Sequence, residues 1–461
     1  RLEAFGFADA AQTRAALAEL TQGLTRRSGL MQQMLPLLLE WLSEAPDPDL
    51  GLLGLRNLSY GSHRAGRLVE TFRESPEAAR RLCYLLGTTR LVHERFERDP
   101  ALIADLADDA ALARRPRSEL SQRARRASDW RPDPAYRRSG LRHFARAEQA
   151  RIQVRDVLGL DELAATEAGL SDLADAVLDA AVAEAAGGAA FAVIGMGRLG
   201  GAELSYASDL DVLFVFGDGV APEAAEAVAA ELLATVNGTT PSGRIFPIDA
   251  NLRPEGKDGA LARSLAGYAN YYERWAATWE RQALLRARPV AGDAALAARF
   301  MEVVAAHVWG RPFTAAEERE IRRLKARVER ERIPRGEDPQ FHLKLGRGSL
   351  SDIEWTVQLL QLRHAVRGAG TMAVLDSLRA AGHIDQGDAD VLADAYRYCE
   401  RARNRLFLVR GQAGDSLPTQ ADQLARLARS LDTTPAALRD SYRRVTRRAR
   451  AVVERLFYGS G

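Results

Sequence analysis

The sequence predicts an α+β protein, mostly helical, with one small mixed sheet between two helical regions. Two observations carry this. Through most of the 461 residues, apolar side chains recur at steps of three and four, the spacing of one helical face. Only between about Ala190 and Pro254 does the pattern change to short apolar runs rich in β-branched and aromatic residues, as buried strands require. The length suggests roughly three domains of about 150 residues. We place them at 1–115, a helical region; 116–262, an α/β unit with leading helices; and 263–461, a helical bundle.

The elements follow in order. In the first region LMQQMLPLLLEWLSEA sets Leu30, Met34, Leu37, Leu38 and Trp41 on one helical stripe. DPDLGLLGLRNLSYG, AARRLCYLLGTT and LVHERFERDPALIADLADD continue as helices with short loops, and no catalytic constellation is visible. Arg114–Arg146 is densely basic and carries prolines, which suits a solvated linker or helix face, with an acidic partner or a phosphate as the alternative. A helical pattern then stops at Gly187-Gly188. AFAVIG (Ala190–Gly195) and DLDVLFVF (Asp209–Phe216) read as strands, PEAAEAVAAELLATV as a helix, TTPSGR as a turn and RIFPIDANLRP as a third strand. From about Ser264 the chain is expected to stay helical, through EEREIRRLKARVERERI, SDIEWTVQLLQLRHAV and ALRDSYRRVTRRARAVVERLF, as a bundle.

Composition removes several function classes. A net charge of +2 gives no basis for nucleic-acid binding, because arginines and carboxylates balance. Cys83 and Cys399 stand far apart in helix-like patterns, so neither a disulfide framework nor a cysteine metal site fits, and a cytoplasmic location is expected. No apolar run approaches the roughly 18–20 residues of a membrane span. The chain starts at Arg1 without methionine, and we read it as a piece of a longer protein.

GMGRLGG holds G-x-G-x-x-G at Gly195, Gly197 and Gly200, with Gly201 adjoining, directly after a strand. A dinucleotide fold would follow it with a crossover helix, a second strand and an acid about 20 residues on. Asp209 and Asp211 arrive too soon for that. The glycines suit a cradle of backbone amides for phosphate, with Arg198 at its centre. Residues two apart on a strand share a face, so Asp209 and Asp211 project together. Such a pair needs compensation, and Mg²⁺ prefers carboxylate and phosphate oxygens. A structural role, with Asp209 capping a turn and Asp211 paired to an arginine, suits the pair taken alone. Asp249, at the end of the next strand, adds a third acid, and three carboxylates on neighbouring strands can hold two metal ions.

The order G-x-G-x-L-G-G-x-E-L-x-x-x-S-D-x-D, then D-x-x-L-R-P about forty residues on, resembles nucleotidyltransferases of the DNA polymerase β superfamily. More narrowly it resembles the glutamine synthetase adenylyltransferases, supported by NLRPEGKDGALARSLAGYANYYERWAATWERQALLRARPVAGD, IRRLKARVE and HLKLGRGSLSDIEWTVQLLQLRH. That resemblance implies a polymerase β-like domain, the expected 116–262, and two halves in the whole protein. One half attaches AMP from ATP to a tyrosine of glutamine synthetase. The other removes it by phosphorolysis, giving ADP, with PII signal protein and glutamine setting the balance. Asp352 stands where the removing half typically has arginine, and RRARAVVERLF is similar to the family's carboxyl end. Both favour the attaching half, with 1–115 resembling the helical regulatory region. Ser349 departs from the family's G-R-G-G and puts the tightness of that turn in question.

The resemblance also implies roles. The triphosphate of ATP would lie over Gly195, Gly197, Gly200 and Gly201 beside Arg198. Asp209 and Asp211 would hold Mg²⁺, and Asp249 would join them, also as a proton acceptor for the attacking phenol. Ser208 flanks the site, to bond phosphate or cap its turn; Arg253, Lys344 and Arg347 reach for phosphate or nucleotide, or form ordinary ion pairs. Glu203, Asp352 and Glu354 would stand behind them. Trp275, Trp279 and Trp355 are expected in the core rather than as base-stacking platforms, and His342 and His364 in packing or surface positions. Partners would be glutamine synthetase, PII, ATP and glutamine, with no membrane and no nucleic acid. Three alternatives remain open: phosphorolytic AMP removal at the same site; a non-catalytic module that binds PII or glutamine synthetase; and a small-molecule nucleotidyltransferase, which the large helical domain disfavours.

Overall fold

The computed structural model describes residues 2, 5–8, 10–21, 26–59, 68, 70–99, 101–129, 133–238, 244–334 and 337–459. The expected turn TTPSGR falls outside these residues except for Arg244. The chain forms two compact units. The first comprises Arg1–Arg114, Gln149–Leu163 and Arg401–Tyr442; the second comprises Arg115–Glu148, Ala164–Glu400 and Arg443–Gly461. No helix among the described residues is long and apolar enough to cross a membrane.

In the first unit the sequence sets its own helix starts. Asp47 and Ser75 each precede a proline and accept from the backbone N–H three residues on, Leu50 at 3.1 Å and Ala78 at 3.1 Å. Such a cap satisfies one orphan donor, and proline's fixed φ suits the first helical position. The resulting helices, Pro48–Leu58 and Pro76–Thr88, pack closely: a Cβ on Gly51 would meet the Gly87 Cα at 3.2 Å. On Arg26–Glu44 the buried face is Leu38, Trp41 and Leu42. Leu37, expected on that stripe, is 46% exposed. Gly51 and Gly87 come against Leu42 and Ala45, so the neighbouring helices cover the face one step round from Leu37.

In the second unit the basic stretch forms helix throughout most of its length, in Arg117–Asp129 and in the part of Pro134–Val157 up to Glu148. Its arginines meet carboxylates of the same unit: Arg117 with Asp175 at 2.9 Å, Arg125 with Asp179 at 2.7 Å, Arg137 with Glu184 at 3.2 Å. The three acids lie along Leu163–Ala186, so the charge-rich stretch is complementary to a helix the sequence places directly after it.

The sheet is mixed, as expected, and has five strands where the sequence offered three. Its strands are β1 (Phe191–Gly195), β2 (Leu210–Phe216), β3 (Ile248–Asp249), β4 (Ala262–Ser264) and β5 (Arg288–Gly292). The path runs β3-β2-β1-β5, with β4 also on β2. β1 is antiparallel to β2 and β5, while β2 is parallel to β3 and β4. A single helical turn, Gly197–Gly200, joins β1 to β2, which an antiparallel pair permits. The expectation of uninterrupted helix after Ser264 fails at β5. RPVAG carries a proline and no alternation, and it becomes a strand by pairing at the sheet edge, where proline is tolerated. Ala294–Trp309 packs on the sheet through Phe300, whose ring lies 5.1 Å from that of Tyr268 in an edge-on contact. Tyr268 in turn donates to the Phe214 carbonyl of β2 at 3.3 Å.

Candidate active site

The three aspartates come together by strand register. Asp211 on β2 is the direct partner of Asp249 on the parallel strand β3. Asp209, two residues before Asp211, shares its face. One carboxylate oxygen from each lies within 4.8 Å of the others. Asp209 is exposed and the other two are half-buried. Asp249 also accepts from the Asn251 N–H at 2.7 Å, which fixes its rotamer. Burial first, then the charges of Asp209 and Asp249, push the Asp211 carboxyl up to about 7, against the opposing pull of Lys344 and Arg286. An acid so raised is held in an unfavourable charged state that a cation would relieve. Three hard oxygen donors at this separation are an acidic triad of the kind that holds a divalent metal ion.

The glycine turn is built against this triad. Gly197 has φ +51, and a Cβ there would fall 2.2 Å from Asp211 Oδ2. A Cβ on Gly200 would meet the Arg286 carbonyl at 1.7 Å, and one on Gly195 would press Leu199 and Val290 at 3.0 and 3.1 Å. Gly201 lies beside Arg286 and Glu203. The Met196 N–H donates to the Asp211 carbonyl at 2.8 Å, tying turn to strand. Ser208 accepts from the Ser205 N–H at 3.1 Å and so closes the turn before β2.

Arg198 points elsewhere. Its guanidinium lies inside the protein, 2.8 Å from Glu400, 3.3 Å from Glu354 and 3.4 Å from Glu167. Burial would lower its pKa, but Glu400, Tyr396, Glu354 and Glu167 together raise it well above the ordinary value. Burial pushes the Glu167 carboxyl well up, despite the pull of Arg198. Glu203 is a second hub. It accepts from Arg286 at 3.1 Å, from the Thr371 hydroxyl at 2.9 Å, from the Thr371 N–H, and from Tyr396 at 3.3 Å. So Arg198, Glu203 and Glu354 bind the turn to the helices behind it.

The remaining candidates divide. Lys344 is exposed and lines the same cleft as the triad. Arg347 is exposed and is not among the residues lining that cleft. Arg253 donates to the carbonyls of Ala250, Lys257 and Gly259 at 2.9–3.1 Å, and so staples the loop after β3. Asp352 is 1% exposed and stands between Lys325 at 2.5 Å and Arg450 at 2.8 Å, while accepting from the Gly348 N–H at 2.7 Å. The Ser349 hydroxyl donates to the Gly346 carbonyl at 2.6 Å, so the G-R-G-S turn stays tight with serine in place. His342 is buried and accepts the Lys344 and Leu345 N–H groups; His364 stacks on His383 at 3.9 Å.

The cleft has a volume of about 870 Å³ and extends past the triad to Trp279, Gln282, Arg327, Arg332, Trp355 and Gln358. Sequence reasoning missed the glutamines and Arg327 and Arg332 and placed the tryptophans in the core. Trp275 is 72% exposed and Trp279 37% exposed, which corrects that placement. The signal was available: W-x-x-Q occurs at Trp279-Gln282 and again at Trp355-Gln358.

The family profile described as glutamate-ammonia ligase adenylyltransferase matches residues 79–303, and that described as GlnD PII-uridylyltransferase matches 319–458. A bifunctional glutamine synthetase adenylyltransferase/adenylyl-removing enzyme of Mycobacterium tuberculosis is 42% identical over 484 positions, covering 99% of this chain and 49% of the relative. Proteins of the same description from Mycobacterium leprae (42% identical, 94% of this chain and 46% of theirs) and Streptomyces avermitilis (40%, 100% and 50%) are similar. The chain spans about half the length of the relatives it matches.

Proposed function

The chain belongs to the glutamine synthetase adenylyltransferase family of nucleotidyltransferases, and on that premise we propose that it attaches AMP from ATP to a tyrosine of glutamine synthetase, releasing pyrophosphate. The observation that carries this reading is the convergence of Asp209, Asp211 and Asp249 on the wall of a cleft large enough for a nucleotide. Mg²⁺ is the ion we assign to them, because all three donors are carboxylate oxygens. When bound it would neutralise triphosphate charge and lower the pKa of a coordinated hydroxyl.

The chain's own groups do the rest. We assign the triphosphate to the space between the Gly197–Gly200 turn, which packs against Asp211, and Lys344, which supplies a positive charge in the cleft. A free phenol has a pKa near 10. Asp249, held by the Asn251 N–H, is placed to accept its proton as the oxygen attacks the α-phosphorus in line. Gly195, Gly200, Gly201 and Ser208 shape the turn. Arg198, Glu203 and Glu354 act on it from behind, and Arg253 holds the loop after β3, all as positioning residues. Arg347 we place at the rim.

Direction is read from Asp352. A positive residue at that place would face Lys325 and Arg450 and lose both ion pairs, so aspartate there supports the attaching half. PII and glutamine would act through the helical region within 1–115, and the enzyme would work in the cytoplasm. The test is incubation with labelled ATP and unmodified glutamine synthetase. Label on the protein, lost in Asp211→Asn with its fold retained, is expected. Release of ADP from adenylylated glutamine synthetase, only with phosphate, would establish removal instead. Absence of Mg²⁺-dependent ATP binding would leave a non-catalytic binding module.

A further inference from the structure

Two helices that line the cleft carry the same four-residue pattern. Trp279 and Gln282 lie on Thr278–Ala283; Trp355 and Gln358 lie on Leu350–His364. A spacing of three puts each tryptophan and its glutamine on one helical face, and all four side chains line the cleft that holds the aspartates. The two glutamines meet: Gln282 Nε2 donates to Gln358 Oε1 at 2.7 Å. Gln282 is 4% exposed, whereas the Trp279 indole, at 37%, is left open to the cleft. Leu324 and Val328, four apart on Ala315–Glu331, add an apolar wall.

An amide pair joined by one hydrogen bond still offers one whole amine group and one whole carbonyl outside that bond, whichever way the amides are turned. In a cleft already lined with indoles, that edge is complementary to a flat ring bearing an adjacent donor and acceptor. Adenine presents its exocyclic amine beside a ring nitrogen, and glutamine is a natural partner for that edge. Aromatic side chains supply the stacking surface that any base accepts. The triphosphate end is fixed at the aspartates, so the base must lie further along the cleft, where these four residues are.

We infer that Gln282 and Gln358 form the adenine-reading edge of the nucleotide site, with Trp279 and Trp355 as its stacking walls. This rests on the nucleotidyltransferase reading. It goes beyond that reading by assigning base specificity to four residues that no phosphate or metal argument uses.

The test is equilibrium binding, with Mg²⁺, of ATP, purine riboside triphosphate and tripolyphosphate to the full chain. Purine riboside triphosphate lacks only the exocyclic amine. The wild type is expected to bind ATP roughly tenfold tighter than the analogue, the worth of about one hydrogen bond. Gln358→Met should remove that preference and leave tripolyphosphate binding unchanged. Trp279→Ala, at a position 37% exposed and with retained fold checked by circular dichroism, should weaken both nucleotides by roughly tenfold or more and spare tripolyphosphate. Equal discrimination in wild type and Gln358→Met, or tripolyphosphate binding as tight as ATP, overturns the base assignment while leaving the phosphate site standing. Failure of all three ligands to bind overturns the nucleotidyltransferase reading, and the base assignment with it.

Discussion

A side chain at Gly197 would place its Cβ 2.2 Å from Asp211 Oδ2. The glycine turn and the aspartate pair are therefore one packed unit, and the glycine is required twice: by φ +51 and by the carboxylate lying over its α-carbon. Gly197→Ala must push Asp211 away or shift the turn. Displacing a reacting group by about 1 Å costs on the order of 100-fold in rate, and the left-handed conformation adds about 1–2 kcal/mol of instability. We expect both, read as AMP transfer and as the urea midpoint. Transfer at the wild-type rate would mean that the carboxylate position is not what the glycine protects.

Arg198 sits in the phosphate-cradle motif yet spends its guanidinium on Glu400, Glu354 and Glu167. Glu400 is completely buried, so removing the arginine strands a charge. Breaking a buried pair in this way costs about 3–5 kcal/mol. Arg198→Met should lose stability on that scale in chemical denaturation. Arg198→Lys, lacking the planar fork, should lose part of it while keeping tripolyphosphate affinity. Reduced triphosphate affinity at unchanged stability would place the guanidinium on the phosphates.

These cases show what could be read in advance. Asp209, Asp211 and Asp249 stood out because carboxylates two apart on an apolar strand need a reason. β1 and β2 stood out because their own residues favour strand. β5 did not, because Arg288–Gly292 owes its state to its pairing with β1. The partners of Arg198 were equally hidden: Glu354 is 156 positions away, and only the fold decides which acid meets which arginine. The W-x-x-Q pairs lay in plain view. Tryptophan at helical spacing is usually core, and only their position along the cleft gives the pattern meaning.

Asp352 was expected behind the nucleotide and lies between Lys325 and Arg450 instead, capping the Gly348 N–H. Gly348 has φ +75, and a Cβ there would meet the Thr446 carbonyl at 1.9 Å, so the turn is pressed against its neighbour and needs this anchor. Asp352→Ala takes the buried carboxylate from Lys325 and Arg450, which keep Glu329 and Glu454 as partners, so the loss should lie at the low end of breaking a buried pair, about 3 kcal/mol. Denaturant unfolding should show that loss, with Mg²⁺-ATP affinity retained in the folded fraction. Lost ATP affinity without lost stability would return Asp352 to the nucleotide.

Glu317 offers a test in pH. Its carboxylate accepts from Arg281 at 2.9 Å, Arg311 at 2.8 Å, and the Thr314 N–H and hydroxyl at 2.9 and 2.8 Å. Burial would raise its pKa, but the bonds from Arg311, Thr314 and Arg281 together hold it down to about 2, against an ordinary 4.5. Between those values the unfolded chain binds a proton that the folded chain does not, so stability rises with pH across that window. The contribution is complete above the ordinary value and is lost as pH falls towards the lowered one. Glu317→Gln cannot ionise, and it leaves the 2%-exposed Arg281 without its charged partner. The stability gap between wild type and Glu317→Gln, from urea unfolding, should be constant near neutrality and shrink in acid. A gap that stays constant down to the acid limb would mean that the Thr314 and arginine bonds serve a neutral group equally well.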